Sequence, residues 1–304
     1  MDNSNAAKYS TKQINKISYQ VNNGQLQRKT CKDTVITEQP LLIRLTWCEN
    51  DKIENKVFTI TMRTPGDDNL LILGLLHSES VIKHVTDVKS VTLESNDIVG
   101  EGQQNEWLVK FCHGYVPDLS SLDRFMLSYS SCGLCGTTSL KSLQLKQTTS
   151  LNTKPHDKRF CVQSLLDLAD IMALKQPLFN QTGGVHGAAL FNDELNLLYI
   201  YEDIGRHNAV DKVIGAMISQ VPIAINQANF SASSINVGKI LLVSGRISFE
   251  IVQKVIMADI CVLIGVGAPS ELAIKAAKQF GLTLIGFANA TGLNVYHGDW
   301  RLHA

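Results

Sequence analysis

The pattern of apolar and polar positions changes about halfway along the chain. In the first half, short apolar or alternating runs predict strands, and one strongly apolar segment, 69–82, predicts a helix that begins after the turn Gly66-Asp67-Asp68. The strands are predicted at 17–21, 41–46, 57–62, 90–93 and 107–112. This half is therefore predicted to be an α+β region.

The second half alternates strands and helices regularly. Segment 162–175 has the apolar spacing of an amphipathic helix. Further strands are predicted at 188–191, 197–201, 239–244, 261–266 and 282–288, and helices at 207–218, 249–258 and 271–280. Apolar strands between helices are typical of a mixed or parallel sheet that helices cover. The pattern predicts a polar, flexible leader over 1–32, the α+β region over 33–150 and an α/β domain over 160–304.

Composition and charge exclude some classes of partner. The 304 residues include 28 Lys plus Arg and 28 Asp plus Glu, so the formal net charge is zero. A neutral chain has no overall field that attracts nucleic acid or an anionic membrane. The N-terminus lacks an apolar leader region, and no apolar run approaches the roughly twenty residues of a membrane span. We therefore expect a cytoplasmic protein without a nucleic-acid or membrane partner.

Two of the seven cysteines, Cys132 and Cys135, are the only thiols close together in sequence. Such a pair can supply half of a zinc site, cycle between dithiol and disulfide, or carry sulfur as a persulfide. The hydroxyl residues at 137–139 can cap a short helix at 140–145, whose N-terminus would lower the pKa of the thiols. In a reducing compartment we expect a catalytic or metal-binding pair and no structural disulfide.

Polar and glycine residues collect where strands of the second half meet helices, which is where ligands bind open α/β sheets. Four segments show this: 181–187, 202–208, 244–248 and 265–270. Their backbone N–H groups, hydroxyls and the Arg246 guanidinium would suit a phosphate. One such turn alone is usually only a tight turn, and Asp203 with Arg206 could form no more than a surface ion pair. Four at one sheet edge favour a ligand site.

A zinc deaminase is one alternative, because His77-Ser78-Glu79 precedes the cysteine pair in the order that those enzymes use. The deaminase signature requires a proline directly before the first cysteine, however, and this chain has Ser131 there. A thioredoxin-type dithiol enzyme is another alternative, although it would leave residues 176–304 without a role. The residues alone leave zinc, redox and sulfur-transfer chemistry open.

Six motifs together resemble the FdhD family of formate dehydrogenase accessory sulfurtransferases, over about residues 33–297. They are Thr64-Pro-Gly-Asp-Asp68, Ser130-Ser-Cys-Gly-Leu-Cys-Gly136, Thr182-Gly-Gly-Val-His186, Glu202-Asp-Ile-Gly-Arg-His-Asn-Ala-Val-Asp-Lys212, Ser244-Gly-Arg-Ile-Ser248 and Gly265-Val-Gly-Ala-Pro-Ser270. The resemblance implies a homodimer whose fold is a three-layer sandwich with a mixed sheet, similar to cytidine deaminase. It also implies that the deaminase-like order of residues carries no resident metal.

The resemblance further implies a sulfur carrier. Such a protein accepts sulfane sulfur from a cysteine desulfurase on Cys132, with Cys135 as the partner thiol. It transfers the sulfur to the molybdenum cofactor, bis-molybdopterin guanine dinucleotide, before formate dehydrogenase receives the cofactor. The cofactor-contacting stretch of the family matches Phe287, Ala288, Asn289, Ala290, Thr291 and Gly292, and the other candidates are Thr182, Gly183, His186, Arg206, Ser244, Gly245 and Arg246. A chaperone that only holds the cofactor remains an alternative.

Overall fold

The computed structural model of the chain describes residues 10–94, 105–119, 159–220 and 240–304. The helix predicted at 140–145 and both Cys132 and Cys135 lie outside these described residues. Among the described residues, no helix is both long enough and apolar enough to cross a bilayer.

An antiparallel hairpin occupies most of the segment interpreted as a polar leader. Its strands are β1 (Thr11–Asn22) and β2 (Gln25–Ile36), so the strand predicted at 17–21 is the middle of a longer one. The base of the hairpin is tied to the rest of the chain, because the Ser10 hydroxyl donates to the Pro65 carbonyl at 2.9 Å.

A four-stranded sheet follows, formed by β3 (Gln39–Glu49), β4 (Lys52–Arg63), β5 (Val88–Leu93) and β6 (Glu106–Phe111). Its strand order is β4-β3-β6-β5. Helix α1 (Asp68–Ser78) covers one face, and its Leu71, Leu73 and Leu76 lie in one core with alternate residues of β3, which are Leu41, Ile43 and Leu45. The α+β prediction for this part is confirmed.

Helix α1 ends four residues before the predicted end at residue 82. Ser80 has a left-handed backbone, with φ of 63°, which breaks the helix. The N–H groups of Val81 and Ile82 then bond the Leu76 carbonyl, and both side chains are buried. The apolar run thus continues into the core through a turn, which the apolar pattern does not distinguish from a further helical turn.

The second half forms a short parallel pair and a six-stranded mixed sheet. The pair is β7 (Phe160–Cys161) with β14 (Leu302–His303). The strands of the larger sheet are β8 (His186–Phe191), β9 (Leu197–Asp203), β10 (Ile240–Val243), β11 (Val262–Gly265), β12 (Thr283–Asn289) and β13 (Gly292–His297). Their order is β13-β12-β11-β10-β8-β9. Strands β10, β11 and β12 are parallel, while β8, β9 and β13 pair antiparallel with their neighbours.

Helices cover both faces of this sheet. Helix α2 (Val162–Leu174) packs on the face to which Ala189 and Phe191 of β8 point. The opposite face, with Ala188 and Leu190, is covered by α4 (Arg206–Ile218), α5 (Phe249–Met257) and α6 (Glu271–Phe280). The predicted α/β class with a mixed sheet is therefore confirmed.

The apolar pattern predicts neither β2, β13 and the short strands β7 and β14 nor the six-residue helix α3 (Pro177–Thr182). Strands β2 and β13 bury few side chains, so their sequences lack the apolar signal on which the prediction depends.

Helices α1 and α4 join the two halves at backbone contact. A Cβ on Gly74 would overlap the carbonyl of Asp211, and a Cβ on Gly215 would overlap the carbonyl of Leu70. A buried ion pair lies beside this contact: Lys254 Nζ is 2.8 Å from the Asp211 carboxylate, which also accepts a hydrogen bond from Ser78. Burial raises the pKa of Asp211 to about 6 despite the opposing charge of Lys254.

Candidate functional site

Strand register brings the predicted polar segments to one edge of the six-stranded sheet. His186, at the start of β8, pairs with Asp203, at the end of β9. Val243, at the end of β10, pairs with Ala188 on one side and with Gly265 on the other. The segments 181–187, 202–208, 244–248 and 265–270 therefore meet at this edge, as predicted.

The loops at this edge touch through their backbones. The Gly267 N–H donates to the Gly245 carbonyl at 3.2 Å, and the Phe287 N–H donates to the Gly267 carbonyl at 3.3 Å. A Cβ on Gly267 would come within 2.8 Å of the Gly245 oxygen and 2.9 Å of the Arg246 Cα, so glycine is required for this contact. The loops of β10, β11 and β12 form one continuous rim.

Two arginines, a histidine and a serine surround Gly245, and we call His186, Arg206, Ser244, Gly245 and Arg246 the basic cluster. The Cβ position of Gly245 lies 3.4 Å from His186 Nδ1 and 3.5 Å from Arg206 Cδ. Ser244 Oγ lies 3.4 Å from His186 Nδ1 and accepts the Gly187 N–H at 3.0 Å. Arg206 Nε is buried without a hydrogen-bond partner among the described residues, while Arg246 is exposed. The cluster therefore offers donors to an anion.

The electrostatics of the basic cluster keep its histidine neutral. Burial, and then the charges of Arg206 and Arg246, lower the pKa of His186. A second imidazole, His207, is affected more strongly: burial first, and then Arg206 and Lys254, lower its pKa to about 4. At neutral pH the positive charge of the cluster thus belongs to the arginines.

His207 is a site residue that sequence reasoning missed, although it directly follows Arg206. Its Nε2 lies 3.0 Å from the Ser248 hydroxyl. Ser248 is the N-cap of α5, as predicted, but its side chain bonds His207 and Glu250 and does not cap the helix. Burial alone would raise the pKa of Glu250, yet the bond from Ser248 and nearby positive charge lower it.

Asp203 does not form the surface ion pair with Arg206 that the sequence left open. It is fully buried, and its carboxylate lies 2.8 Å from Lys212 Nζ, also buried. The Thr64 N–H and the Asn208 amide donate to the same carboxylate at 3.2 and 3.0 Å. Much of the 202–212 motif therefore joins the Thr64 loop to β9 and α4 and is structural.

Thr182 and Gly183 form the turn that leads into the edge. The Thr182 hydroxyl donates to the Leu178 carbonyl at 2.7 Å and accepts the Gly184 N–H at 3.2 Å. Gly183 is the left-handed C-cap of α3, with φ of 64°. Both residues shape the approach to His186, and the hydroxyl is engaged within its own turn.

The segment 287–292 forms the far end of the rim. Phe287 is 45% exposed and has a φ of 55° at an irregularity in the β12–β13 pairing. A bulky residue in this left-handed region costs about 1 kcal/mol or more, and such strain is common at functional sites. Asn289 Oδ1 accepts the Thr291 N–H at 2.9 Å and its hydroxyl at 2.6 Å, while Ala288 is buried and Ala290 exposed.

A metal site can be sought only among the candidate residues that the structure describes, which do not include Cys132 and Cys135. Within residues 10–94, 105–119, 159–220 and 240–304, no group of three His, Cys, Asp or Glu side chains is arranged to hold a metal ion. The described edge instead combines guanidinium, imidazole, hydroxyl and backbone N–H groups, which are the usual partners of phosphate.

Known proteins are similar to this chain over most of its length. Residues 36–303 match the FdhD/NarQ family. A sulfur carrier protein FdhD of Streptomyces coelicolor is 39% identical over 275 residues, which is 90% of each chain. The protein of the same name from Saccharolobus solfataricus is 37% identical over 271 residues, or 89% of this chain and 91% of that one.

A crystal structure shows the same fold. It is that of a protein assigned as a formate dehydrogenase accessory protein from Desulfotalea psychrophila, with a TM-score of 0.65 and 22% identity over 96% of this chain and 99% of that one. The family match spans both the cysteine pair and the sheet edge described above. The chain belongs to the FdhD/NarQ family.

Proposed function

We propose that this protein is a sulfur carrier that accepts sulfane sulfur from a cysteine desulfurase as a persulfide on Cys132. It passes the sulfur to the molybdenum cofactor, bis-molybdopterin guanine dinucleotide, before formate dehydrogenase receives the cofactor. The observation that carries the proposal is the family match over residues 36–303, which includes the Cys132–Cys135 pair. The phosphate-suited edge of the sheet supports the cofactor part.

The sulfur chemistry needs only thiols. The Cys132 thiolate attacks the terminal sulfur of the donor persulfide, a new S–S bond forms, and the donor cysteine leaves as a thiolate. Cys135 can then attack the inner sulfur of the loaded Cys132. This step oxidises the two cysteines to a disulfide and releases the terminal sulfur as sulfide to the cofactor, and a cellular dithiol reduces the disulfide again.

We propose that the cofactor binds along the rim of the sheet. We assign its phosphates to the basic cluster, where Arg206 and Arg246 supply charge and Ser244 a hydroxyl. The exposed ring of Phe287 and the turn 288–292 would contact the guanine end, and Thr182 with Gly183 would border the phosphates.

Three further expectations belong to this proposal. The protein works in the cytoplasm, with a cysteine desulfurase as its sulfur donor and formate dehydrogenase as the enzyme that receives the cofactor. It works as a homodimer, which sedimentation would test. The three-layer arrangement is of the cytidine deaminase type, which superposition on a cytidine deaminase would test.

Loading of sulfur tests the chemistry. After incubation with a cysteine desulfurase and cysteine, mass analysis should show one added sulfur atom on Cys132. Cys132→Ala should lose the added sulfur, whereas Cys48→Ala, which changes a cysteine outside the pair, should keep it. If cells with Cys132→Ala kept full formate dehydrogenase activity, the carrier mechanism would be wrong. Full activity with both Cys132 and Cys135 replaced would favour the holding chaperone.

Nucleotide binding tests the edge. We expect GDP to bind the wild type and Arg246→Gln to weaken binding about tenfold, since one charge-assisted phosphate contact contributes about 1–2 kcal/mol. Calorimetric titration measures the affinity. Arg28→Gln, which removes an exposed arginine from β2, is the matched control and should bind as the wild type does. Absence of heat for GDP in the wild type would count against the site.

A further inference from the structure

Two imidazoles adjoin the basic cluster from neighbouring elements. His186 begins β8, and its Nδ1 lies 3.4 Å from Ser244 Oγ. His207 lies in the first turn of α4, and its Nε2 lies 3.0 Å from Ser248 Oγ. The two rings are close enough for the charge of His186 to act on His207.

The charged groups that face these rings are mostly positive. Arg206 from α4 and Arg246 from the β10–α5 loop act on His186. Arg206, Lys254 of α5 and His186 oppose a charge on His207, and Glu250 of α5 is the one facing group that favours it among the described residues. Each ring therefore stays neutral mainly because it is partly buried beside cations.

The hydrogen bonds indicate where His207 can accept a proton. Ser248 bonds the Glu250 carboxylate, and a carboxylate can only accept, so the single hydroxyl hydrogen points to Glu250. The same hydroxyl oxygen must then accept the N–H of His207 Nε2. In this tautomer Nδ1 of His207 carries a lone pair and is the atom that a proton would reach.

We propose that the basic cluster binds its phosphate-bearing ligand together with protons, which His186 and His207 take up as the ligand binds. The proposal rests on the cofactor-binding role assigned to the cluster above. It adds that the affinity of the site depends on pH and that the two histidines are its proton acceptors.

The physical reason is the reversal of the local charge. A phosphate group brings negative charge to Arg206 and Arg246 and so cancels the repulsion that keeps the imidazoles neutral. An imidazolium also gains a second N–H donor, which can bond a phosphate oxygen. The ligand should therefore bind more tightly as pH falls from 7.5 to 6, by up to about tenfold per pH unit for each proton taken up.

Calorimetry counts the protons. GDP is titrated into the protein at pH 6.5 in two buffers with different ionisation enthalpies, and the difference in heat gives the protons bound per GDP. The double variant His186→Gln with His207→Gln is compared with the wild type, because protons exchanged by GDP itself cancel in that difference. His113→Gln, at an exposed histidine after β6, is the matched control.

We expect the wild type and His113→Gln to take up more protons per GDP than the double variant. The two single variants, which disturb less of the fold, should each lose part of the uptake, and thermal melts identify any variant that does not fold. Equal proton counts in the wild type and both single variants would overturn the proposal while GDP binding itself remained. No binding of GDP by the wild type would instead overturn the cofactor site.

A second measurement needs no ligand. Replacing the exposed Arg246 with glutamine removes one cation that faces His186, so the pKa of His186 should rise in an NMR titration of the free protein. A pKa of His186 that did not change would show that the arginine charge does not reach the ring, and the proton coupling would be wrong.

Discussion

At the scale of single residues, burial separates the polar groups that pair within the fold from those that we propose to bind an anion. Asp203 and Lys212 are both buried and neutralise each other at 2.8 Å. Arg246 is exposed, and Arg206 Nε has no hydrogen-bond partner among the described residues. The first pair therefore satisfies its own charges within the fold, whereas Arg246 and the Nε of Arg206 are the groups that we propose for an anion.

Lys212→Met should destabilise the protein by about 3 kcal/mol, because the Asp203 carboxylate would stay buried without its counter-charge. Denaturant unfolding measures the change. Lys275→Met is the matched control: it breaks an exposed pair with Glu271, whose side chains are 59% and 82% exposed, and should cost less than about 0.5 kcal/mol. Equal losses for the two variants would show that burial of the first pair is unimportant.

The location of a polar residue can be predicted from the sequence when the residue lies near the end of a predicted strand. Its role cannot be predicted when that role depends on burial beside a distant partner. His186, Arg206 and Arg246 reach one edge as predicted, because each lies at the end of a predicted strand or just beyond it. The role of Asp203 depends on Lys212, nine positions later in a helix, and on Thr64 from the other half of the chain. No local pattern encodes those partners.

Elements are held together by close approach of helices, and the α1–α4 contact is the clearest case. The Cα atoms of Gly74 and Gly215 face carbonyl groups of the opposite helix, so no side chain fits at either position. Packing at this contact fixes the N-terminal sheet against α4, the helix that carries Arg206 and His207.

Gly74→Ala should destabilise the protein by about 2–3 kcal/mol, since the new methyl must displace the backbone of α4. Helix propensity alone would predict the opposite sign, a gain of about 1 kcal/mol. Thermal and denaturant unfolding decide between them. Gly292→Ala, where a Cβ would meet nothing within 4 Å, is the control and should change stability little. A stabilised Gly74→Ala variant would contradict the helix contact.

Element prediction from the sequence depends on how much of an element is buried. The apolar pattern predicts the strands of the six-stranded sheet well where helices cover both faces of the strand, as in β10 and β11. Strands β2 and β13 expose most of their side chains and therefore show no apolar pattern. The end of α1 was misplaced because the buried residues Val81 and Ile82 continue its apolar run beyond the turn.

At the scale of the whole molecule, the proposed function assigns sulfur transfer and cofactor binding to different places in the chain. The sheet edge presents a basic rim with two neutral imidazoles, which suits a phosphate-bearing cofactor. The cysteine pair lies in the segment 120–158, outside the described residues, and the role proposed for it rests on the family match. A chaperone that only holds the cofactor needs the rim but not the cysteines, so the two proposed functions differ in whether sulfur is carried on Cys132.

Sulfur loading of the intact protein tests the central claim most directly. The protein is incubated with a cysteine desulfurase and cysteine, digested without reductant, and its peptides are analysed by mass. The account predicts one added sulfur atom on Cys132 in the wild type and in Cys48→Ala, and none anywhere in Cys132→Ala. Added sulfur spread equally over the seven cysteines, or absent from Cys132, would contradict it.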